Sequence, residues 1–405
     1  MSNDVVPETF EIVDGQYKRA VIRVIGVGGG GCNTVNQMAQ AEIQGVEFIC
    51  ANTDRDHLEK CVPVMQLQMG AAVTRGLGAG SNPKVGREAA EEDKDRIHEM
   101  LENTDLLFIT AGMGGGTGTG AAPVIAEIAQ ELGILTVAVV TKPFPHEGKK
   151  RMRVAIEGIK ELQQRVDSLI VIPNEKLRLV LGGSVTLLNG FKAANDVLQN
   201  AVQGISDLIT RPGMINVDFA DVKTVMSNRG MAMMGLGSAQ GEDRAQKAVE
   251  AALASPLLDD LELTGARGIL VNITCDDTLT LDELELINNR IFEIASDEAE
   301  MKSGTSFDPS LNGELRVTVV ATGLDGGIVT SAGAAPEMVS AVEAAAEHRP
   351  VVTRLWANGM KESRTAPVAA APAVSRPQRP RRASGALALD QDILDIPAFL
   401  REQAD

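Results

Sequence analysis

The sequence predicts an α/β fold: a Rossmann-like parallel-sheet domain, a long central helix, a smaller α+β C-terminal domain, then a disordered linker and a short C-terminal peptide. Three observations predict it. Short apolar runs alternate with segments of helical period over the first half of the chain. Two of those runs pass straight into dense glycine clusters. From about residue 328 the hydrophobic periodicity fades into a stretch rich in Ala, Pro and Arg.

Residues 1–18 are polar and read as a flexible arm, and 19–184 as the parallel-sheet domain. Its strands are predicted at 20–25, 46–50, 106–109, 135–140 and 169–172, apolar runs of the kind buried on both faces. Asn82-Pro83 starts a helix, with an amide to cap it and proline at its first position, that continues through Ala89, Ala90 and Ile97. Further helices are predicted at 121–132 and 150–165. The central helix takes up 185–213, with Leu187, Leu188, Phe191, Ala194, Leu198, Val202 and Ile205 at helical spacing and Pro212-Gly213 as its stop. The C-terminal domain, 214–327, mixes strands at 266–274 and 314–322 with helices at 242–254 and 281–295. Residues 328–390 are the linker, basic between Arg349 and Arg382, and 391–405 the terminal peptide.

The 405 residues carry a net charge of −17, which argues against nucleic-acid binding driven by the phosphate backbone. A small polyanion is a different matter, because helix N-termini and oriented N–H groups supply local positive potential. Aromatics are scarce, so the core must be aliphatic. Cys32, Cys50, Cys61 and Cys275 show neither C-x-x-C nor zinc spacing and read as reduced thiols of a cytosolic protein, with no metal site. The N-terminus lacks an apolar signal core, and the longest apolar run, 134–140, is too short to insert into a membrane.

The first strand ends in Gly26-Val27-Gly28-Gly29-Gly30-Gly31-Cys32-Asn33. This matches G-x-G-x-x-G between a strand and a helix, so a dinucleotide site is open, with Glu47 or Asp54 as its acidic partner. A tight structural turn is the plainer alternative. The second loop, Ala111-Gly112-Met113-Gly114-Gly115-Gly116-Thr117-Gly118-Thr119-Gly120, also lies between a strand and a helix. Its glycines let backbone approach a phosphate and expose consecutive N–H groups, while threonine hydroxyls and the helix dipole add to the attraction. Two such loops on one sheet suit a nucleoside di- or triphosphate better than one pyrophosphate. The P-loop signature G-x-x-x-x-G-K-[ST] is missing, as are the protein-kinase signatures.

Gly114 to Gly120 does not stand alone. With it come Gly26 to Asn33, Asn52-Thr53-Asp54, Gly80-Ser81-Asn82-Pro83, Pro143-Phe144-Pro145-His146-Glu147-Gly148, Phe191-Lys192-Ala193-Ala194-Asn195-Asp196 and Asn216-Val217-Asp218-Phe219-Ala220-Asp221. Together they resemble the tubulin/FtsZ family of GTPases over residues 20–325. Cys32 stands where the family often has Gly or Ser, and Ser81 where Ala is common; neither removes a charge that the chemistry needs.

The resemblance implies a protein that binds GTP/GDP, hydrolyses GTP and assembles with itself into the bacterial division ring, in the cytoplasm at midcell, with Mg²⁺ carried on the nucleotide. It assigns Gly29, Gly30, Gly31, Cys32, Asn33, Gly116, Thr117 and Gly118 to the phosphates. Glu147 and Arg151 fall at the ribose and phosphate side, and Phe191 and Asn195 at the guanine. The residue types suit these roles, since a carboxylate accepts from hydroxyls and an amide matches the edge of a purine. Taken alone, Phe191 reads more readily as core, and Glu147 with Arg151 as a surface i,i+4 pair; the two phosphate loops upstream reverse that preference.

Asn216, Asp218 and Asp221 are the catalytic candidates. Phosphoryl transfer to water needs an oriented water and offset phosphate charge; alone, two such aspartates read as charges at a helix N-terminus. If Asn195 touches the base, roughly fourteen further helical residues at ~1.5 Å each put the helix end about 20 Å away. The aspartates then reach only another molecule's nucleotide. That requires a head-to-tail contact, which makes an open filament when it does not close.

In the terminal peptide, Ile393, Leu394, Ile396, Phe399 and Leu400 surround Pro397, as in a segment that folds into a partner's groove. By resemblance the partners are division-ring membrane tethers and regulators such as FtsA and ZipA; a frayed terminus, or contact of the basic linker with anionic lipid, are the alternatives. Two other functions stay open. A dinucleotide-dependent oxidoreductase leaves the second loop and the aspartates without a role, and a non-hydrolysing scaffold leaves the carboxylates unexplained.

Overall fold

The computed structural model of the chain describes residues 20–324, apart from 42, 63, 182–185, 212 and 259–264. The predicted N-terminal arm, linker and terminal peptide lie outside the described residues, as does Pro212. The first half runs β1 (Ile22–Val27), α1 (Gly28–Gln40), β2 (Val46–Asn52), α2 (Arg55–Leu58), β3 (Met65–Gln68), α3 (Ala71–Thr74), α4 (Pro83–Glu92), α5 (Lys94–Leu101), β4 (Leu106–Gly112), α6 (Thr117–Glu131), β5 (Leu135–Lys142), α7 (Lys149–Gln163), β6 (Ser168–Pro173) and α8 (Asn174–Leu181). The central helix α9 (Leu187–Thr210) leads to α10 (Phe219–Met226), β7 (Gly230–Gln240), α11 (Arg244–Leu253), β8 (Gly268–Cys275), α12 (Leu281–Phe292), β9 (Glu300–Phe307) and β10 (Glu314–Leu324).

One ten-stranded sheet, in the order β3-β2-β1-β4-β5-β6-β7-β10-β8-β9, runs through both regions. Strands β3 to β6 are parallel, and β10 pairs antiparallel with β7 and β8. Successive residues of the parallel strands alternate between two cores. Val24, Phe108, Val137 and Val139 pack towards α1 and α9. Ile25, Ile109, Ala138 and Val140 pack towards α4, α5, α6 and α7. Burial on both faces is what turned these strands into continuous apolar runs. A third core joins α11 and α12 to β8 and β10.

The chain departs from the sequence reading at identifiable points. The single helix expected from Pro83 through Ile97 is two, broken at Asp93 (φ −105°, ψ 21°). The Asp93 side chain is drawn out of helical register because Oδ2 accepts the Gly70 N–H at 2.7 Å and Oδ1 pairs with Arg96 at 2.8 Å. The apolar stripe of α9 is buried at Ala194, Leu198, Val202 and Ile205, whereas Leu188 and Phe191 are 77% and 41% exposed. Elements β3, β7, β9 and α8 lie outside the predicted set, whereas α10 has Asp218 at its N-cap and Asp221 in its first turn, where the alternative reading puts a helix N-terminus. β7 carries Gly235 and Gly237 because they lie against the backbone of α11, where a Cβ would collide with Ala252 and Ala248.

Near the end of α9, Asp207 is almost fully buried, and Arg211 Nε lies 2.9 Å from its Oδ1. Burial raises its pKa to about 6 against the pull of Arg211. The folded chain therefore holds this proton between about pH 4, where an unfolded Asp titrates, and pH 6, so the group's contribution to stability is present below that window and is lost as pH rises through it. Asp207→Asn is expected to flatten the pH dependence of chemical denaturation between pH 4 and 6; a slope equal to that of the unsubstituted protein counts against this assignment.

Candidate functional site

The site is built at the carboxyl ends of β1, β4 and β5, where a doubly wound sheet leaves room for a ligand. Helix α1 begins immediately after β1, with Val27 at its N-cap and no side chain capping it. Helix α6 begins at Thr117, inside the second glycine loop, with Gly116 as its N-cap and again no side-chain cap. Two helix N-termini thus present open N–H donors and their dipoles to one place.

The loops are locked to each other backbone to backbone. A Cβ on Gly28 (φ +70°) would lie 2.8 Å from the Gly118 nitrogen. One on Gly118 would lie 2.9 Å from the Gly112 oxygen and 3.2 Å from that of Val27. Gly116 abuts Ala79 and Asn82, and Gly120 abuts Pro83 of α4. Much of the glycine density therefore serves packing as well as ligand approach. Gly29, Gly30 and Asn33 are exposed, while Gly31, Cys32, Gly116, Thr117 and Gly118 are buried behind them. The threonine hydroxyls of the second loop are already engaged, one within the loop and one with Thr53 beyond β2. Thr119 Oγ1 accepts the Gly114 N–H at 2.8 Å, and the Thr117 and Thr53 hydroxyls are 2.6 Å apart.

Beside the loops lies a cavity of about 110 Å³ lined by Gly30, Thr34, Gly112, Glu147, Arg151, Asn174, Phe191 and Asn195 among others. Five segments of sequence converge there. Glu147 and Arg151 are the i,i+4 pair that the spacing allowed, 3.1 Å apart, but they stand in the cavity wall, and Glu147 is also fixed by accepting the Phe144 N–H at 2.8 Å. Phe191 is not core: it meets Phe144 edge-on at 5.3 Å, and Phe144 stacks on His146 at 5.3 Å. Asn195 Oδ1 accepts from Thr34 Oγ1 at 3.0 Å, which leaves its NH₂ as a donor group. Asn33 Oδ1 lies 3.1 Å from His57 Nε2.

Three contributors escaped the sequence reading. Phe144 belongs to the segment Pro143 to Gly148, in which the sequence points only to Glu147. Thr34 sits one position beyond the first loop. Asn174, 4% exposed, is among the residues lining the cavity, and its side-chain amide oxygen is buried with no partner among the described residues. A buried acceptor without a donor, on a residue beside a cavity, marks a place where a hydrogen-bonding ligand would be favoured.

Asn216, Asp218 and Asp221 are not in this cavity. Asn216 and Asp218 line another, of about 620 Å³, with Ala20, Val21 and Ile22 at the opposite end of β1 and Thr210 at the end of α9. Asp218 caps α10, its Oδ1 accepting the Asp221 N–H at 2.7 Å, and Asn216 Oδ1 accepts the Gly213 N–H at 2.8 Å. Of the carboxylates considered for a dinucleotide ribose, Glu47 pairs with Arg23 at 2.8 Å near the start of β2, the wrong end of the sheet. Asp54 follows the carboxyl end of β2 and is engaged in capping α2. Three of the four thiols are held away from reactivity, while the hydrogen bond with Cys32 lowers the pKa of Cys50. Cys32 is held well above the ordinary thiol range by its hydrogen bond with Cys50 and by burial, and burial pushes Cys61 and Cys275 up to about 11.

A parallel sheet with paired glycine loops at its carboxyl edge, a central helix and a smaller α+β region define a tubulin-type GTPase. Residues 21–182 match the Tubulin/FtsZ family GTPase domain and 230–325 the FtsZ family C-terminal domain. The chain is 55% identical to the cell division protein FtsZ of Pseudomonas aeruginosa over 98% of its own length and 100% of the relative's. It is 61% identical to that of Coxiella burnetii, over 78% of this chain and 82% of the relative. A solved FtsZ dimer of M. jannaschii superposes with a TM-score of 0.73 at 45% identity, covering 76% of this chain and 89% of that one. CetZ1 of Haloferax volcanii, at 21% identity and a TM-score of 0.66, shares the fold. The chain belongs to the FtsZ family of cell division GTPases.

Because Gly118 has backbone on two sides, Gly118→Ala is expected to cost about 1–3 kcal/mol of stability, as overpacking does. It should also weaken nucleotide binding. Thermal denaturation with and without nucleotide reads both effects; an unchanged Tm would mean that the loops are not interlocked in solution.

Proposed function

We propose that the protein binds GTP in the cavity beside the two loops, polymerises head-to-tail, and hydrolyses the nucleotide with Asn216, Asp218 and Asp221 supplied by the next subunit. One observation carries this reading: the candidate binding residues and the candidate catalytic carboxylates lie at opposite ends of the same sheet and helix. β1 has six residues, about 20 Å of strand at ~3.3 Å each. The stretch of α9 from Asn195 to Thr210 spans a similar distance at ~1.5 Å per residue. A single subunit cannot close that gap, whereas stacking subunits end to end does.

In this reading Gly29 to Asn33 and Gly116 to Gly118 hold the phosphates, chiefly through backbone N–H groups. Glu147 accepts from the ribose, Arg151 offsets phosphate charge, and Phe191 with Asn195 holds the guanine. The cavity wall offers donors and one cation to the phosphates, a set that fits Mg²⁺ arriving on the nucleotide, where it would neutralise phosphate charge. Asp218 keeps Oδ2 clear of its capping bond and is exposed, as a group that orients water at a neighbour must be. A solved relative described as an FtsZ dimer supports self-association. The place of action is the midcell division ring, with residues 391–405 joining the filament to membrane tethers such as FtsA and ZipA.

Phosphate release measured against protein concentration, with light scattering recorded alongside, tests the shared site. Both signals should rise from one threshold; full activity per molecule far below it would sink the proposal. Asp221→Ala should keep GTP affinity and lose turnover by about a hundredfold or more. Loss of binding instead would place Asp221 at its own nucleotide. Deleting 392–405 should leave turnover intact and abolish tether binding, and unchanged affinity for the tethers would refute the role of the peptide.

A further inference from the structure

The second candidate carboxylate is not a free surface aspartate. Lys302 Nζ lies 2.8 Å from Asp221 Oδ1 and 3.6 Å from Glu300 Oε1. Lys302 stands on β9, the last strand of the sheet. The same strand also holds the backbone of the loop that carries Asn216 and Asp218. The Thr305 N–H donates to the Ile215 carbonyl at 2.9 Å, and Thr305 Oγ1 accepts the Ile215 N–H at 3.0 Å. Asp218 then accepts the Asp221 N–H. Loop, cap and carboxylate are thus all tied to β9, with Lys302 as the link to the carboxylate itself.

This link has a chemical consequence. An aspartate on a helix surface rotates about two side-chain torsions, and a group that orients water must be fixed to about 0.5 Å. A cation gripping one carboxylate oxygen removes that freedom and leaves the other oxygen to act. Asp221 draws the Lys302 pKa upward, further from the neutral range in which a lysine is already charged. An ion pair this exposed contributes little to stability, so its value lies in geometry.

Resting on the reading that Asp221 acts across the subunit contact, we propose that Lys302 is a positioning residue for GTP hydrolysis, holding Asp221 by Oδ1 so that Oδ2 serves the neighbouring subunit's nucleotide. Lys302→Met keeps the aliphatic stem and removes the cation. Phosphate release per assembled subunit should fall by about fivefold, with the light-scattering threshold unchanged, and Lys302→Arg should restore most of the loss. Turnover equal to that of the unsubstituted protein, or a shifted threshold with normal turnover above it, overturns the positioning role. Asp221→Asn separates the two claims. If it is inactive while Lys302→Met is normal, only the role of Lys302 fails; if it turns over normally, the reading of Asp221 fails with it.

Discussion

Helix α9 is held along its length by contacts it cannot trade. Ala194, Leu198, Val202, Ile205 and Leu208 share one core with Val24, Phe108 and Val139 of the sheet. Further along, Gly204 closes against Thr318 of β10, and its carbonyl accepts from Asn272 of β8 at 2.9 Å. A rod packed in this way has no inexpensive way to bend, because core side chains sit at crystal-like density. Its first turns reach the cavity through Phe191 and Asn195, and its last residue borders the cavity of Asn216 and Asp218. The separation of the two halves of the proposed site is therefore set by the packing of one helix.

The site half at the carboxyl edge depends on a different constraint, the close approach of main chains. Gly28 against Gly118, Gly116 against Asn82 and Gly120 against Pro83 bring α1, α4 and α6 closer than any side chain would allow. Without that approach the N-termini of α1 and α6 would not converge. The entropy that glycines cost in the unfolded chain is offset by what they admit, two uncapped helix starts side by side. Packing and phosphate binding are not rival explanations for this glycine run; the first creates the geometry that the second uses.

What could be read from the sequence follows from the same physics. The parallel strands were legible because both faces are buried, so each is an uninterrupted apolar run. The edge strands β3 and β9 were not, because solvent on one side admits residues such as Gln66, Gln68, Lys302 and Ser303. β7 was hidden by glycines that serve its contact with α11. The break at Asp93 could not be foreseen, since it depends on Gly70, distant in sequence. Glycine loops announce themselves, and the motifs carrying Glu147, Phe191 and Asn195 were found through family resemblance. Asn174 and Lys302 belong to no motif. Asn174 matters through an unpartnered oxygen, and Lys302 through a contact with a residue far along the chain; neither leaves a trace in local sequence.

Charge gives the divided site its logic. The chain carries −17 and the proposed ligand is itself a polyanion. Carboxylates beside its own nucleotide would repel the phosphates in every unassembled subunit and weaken binding. The cavity keeps the one carboxylate it does contain, Glu147, paired with Arg151 and hydrogen-bonded to backbone. Asp218 and Asp221 stand a helix length away, the first spent partly on capping α10 and the second paired with Lys302. Those partners offset the negative charge that the carboxylates bring when another subunit's phosphates approach. The proposed arrangement thus binds nucleotide without repulsion from the catalytic carboxylates and admits them only on assembly, with Lys302 bringing a cation to the same contact.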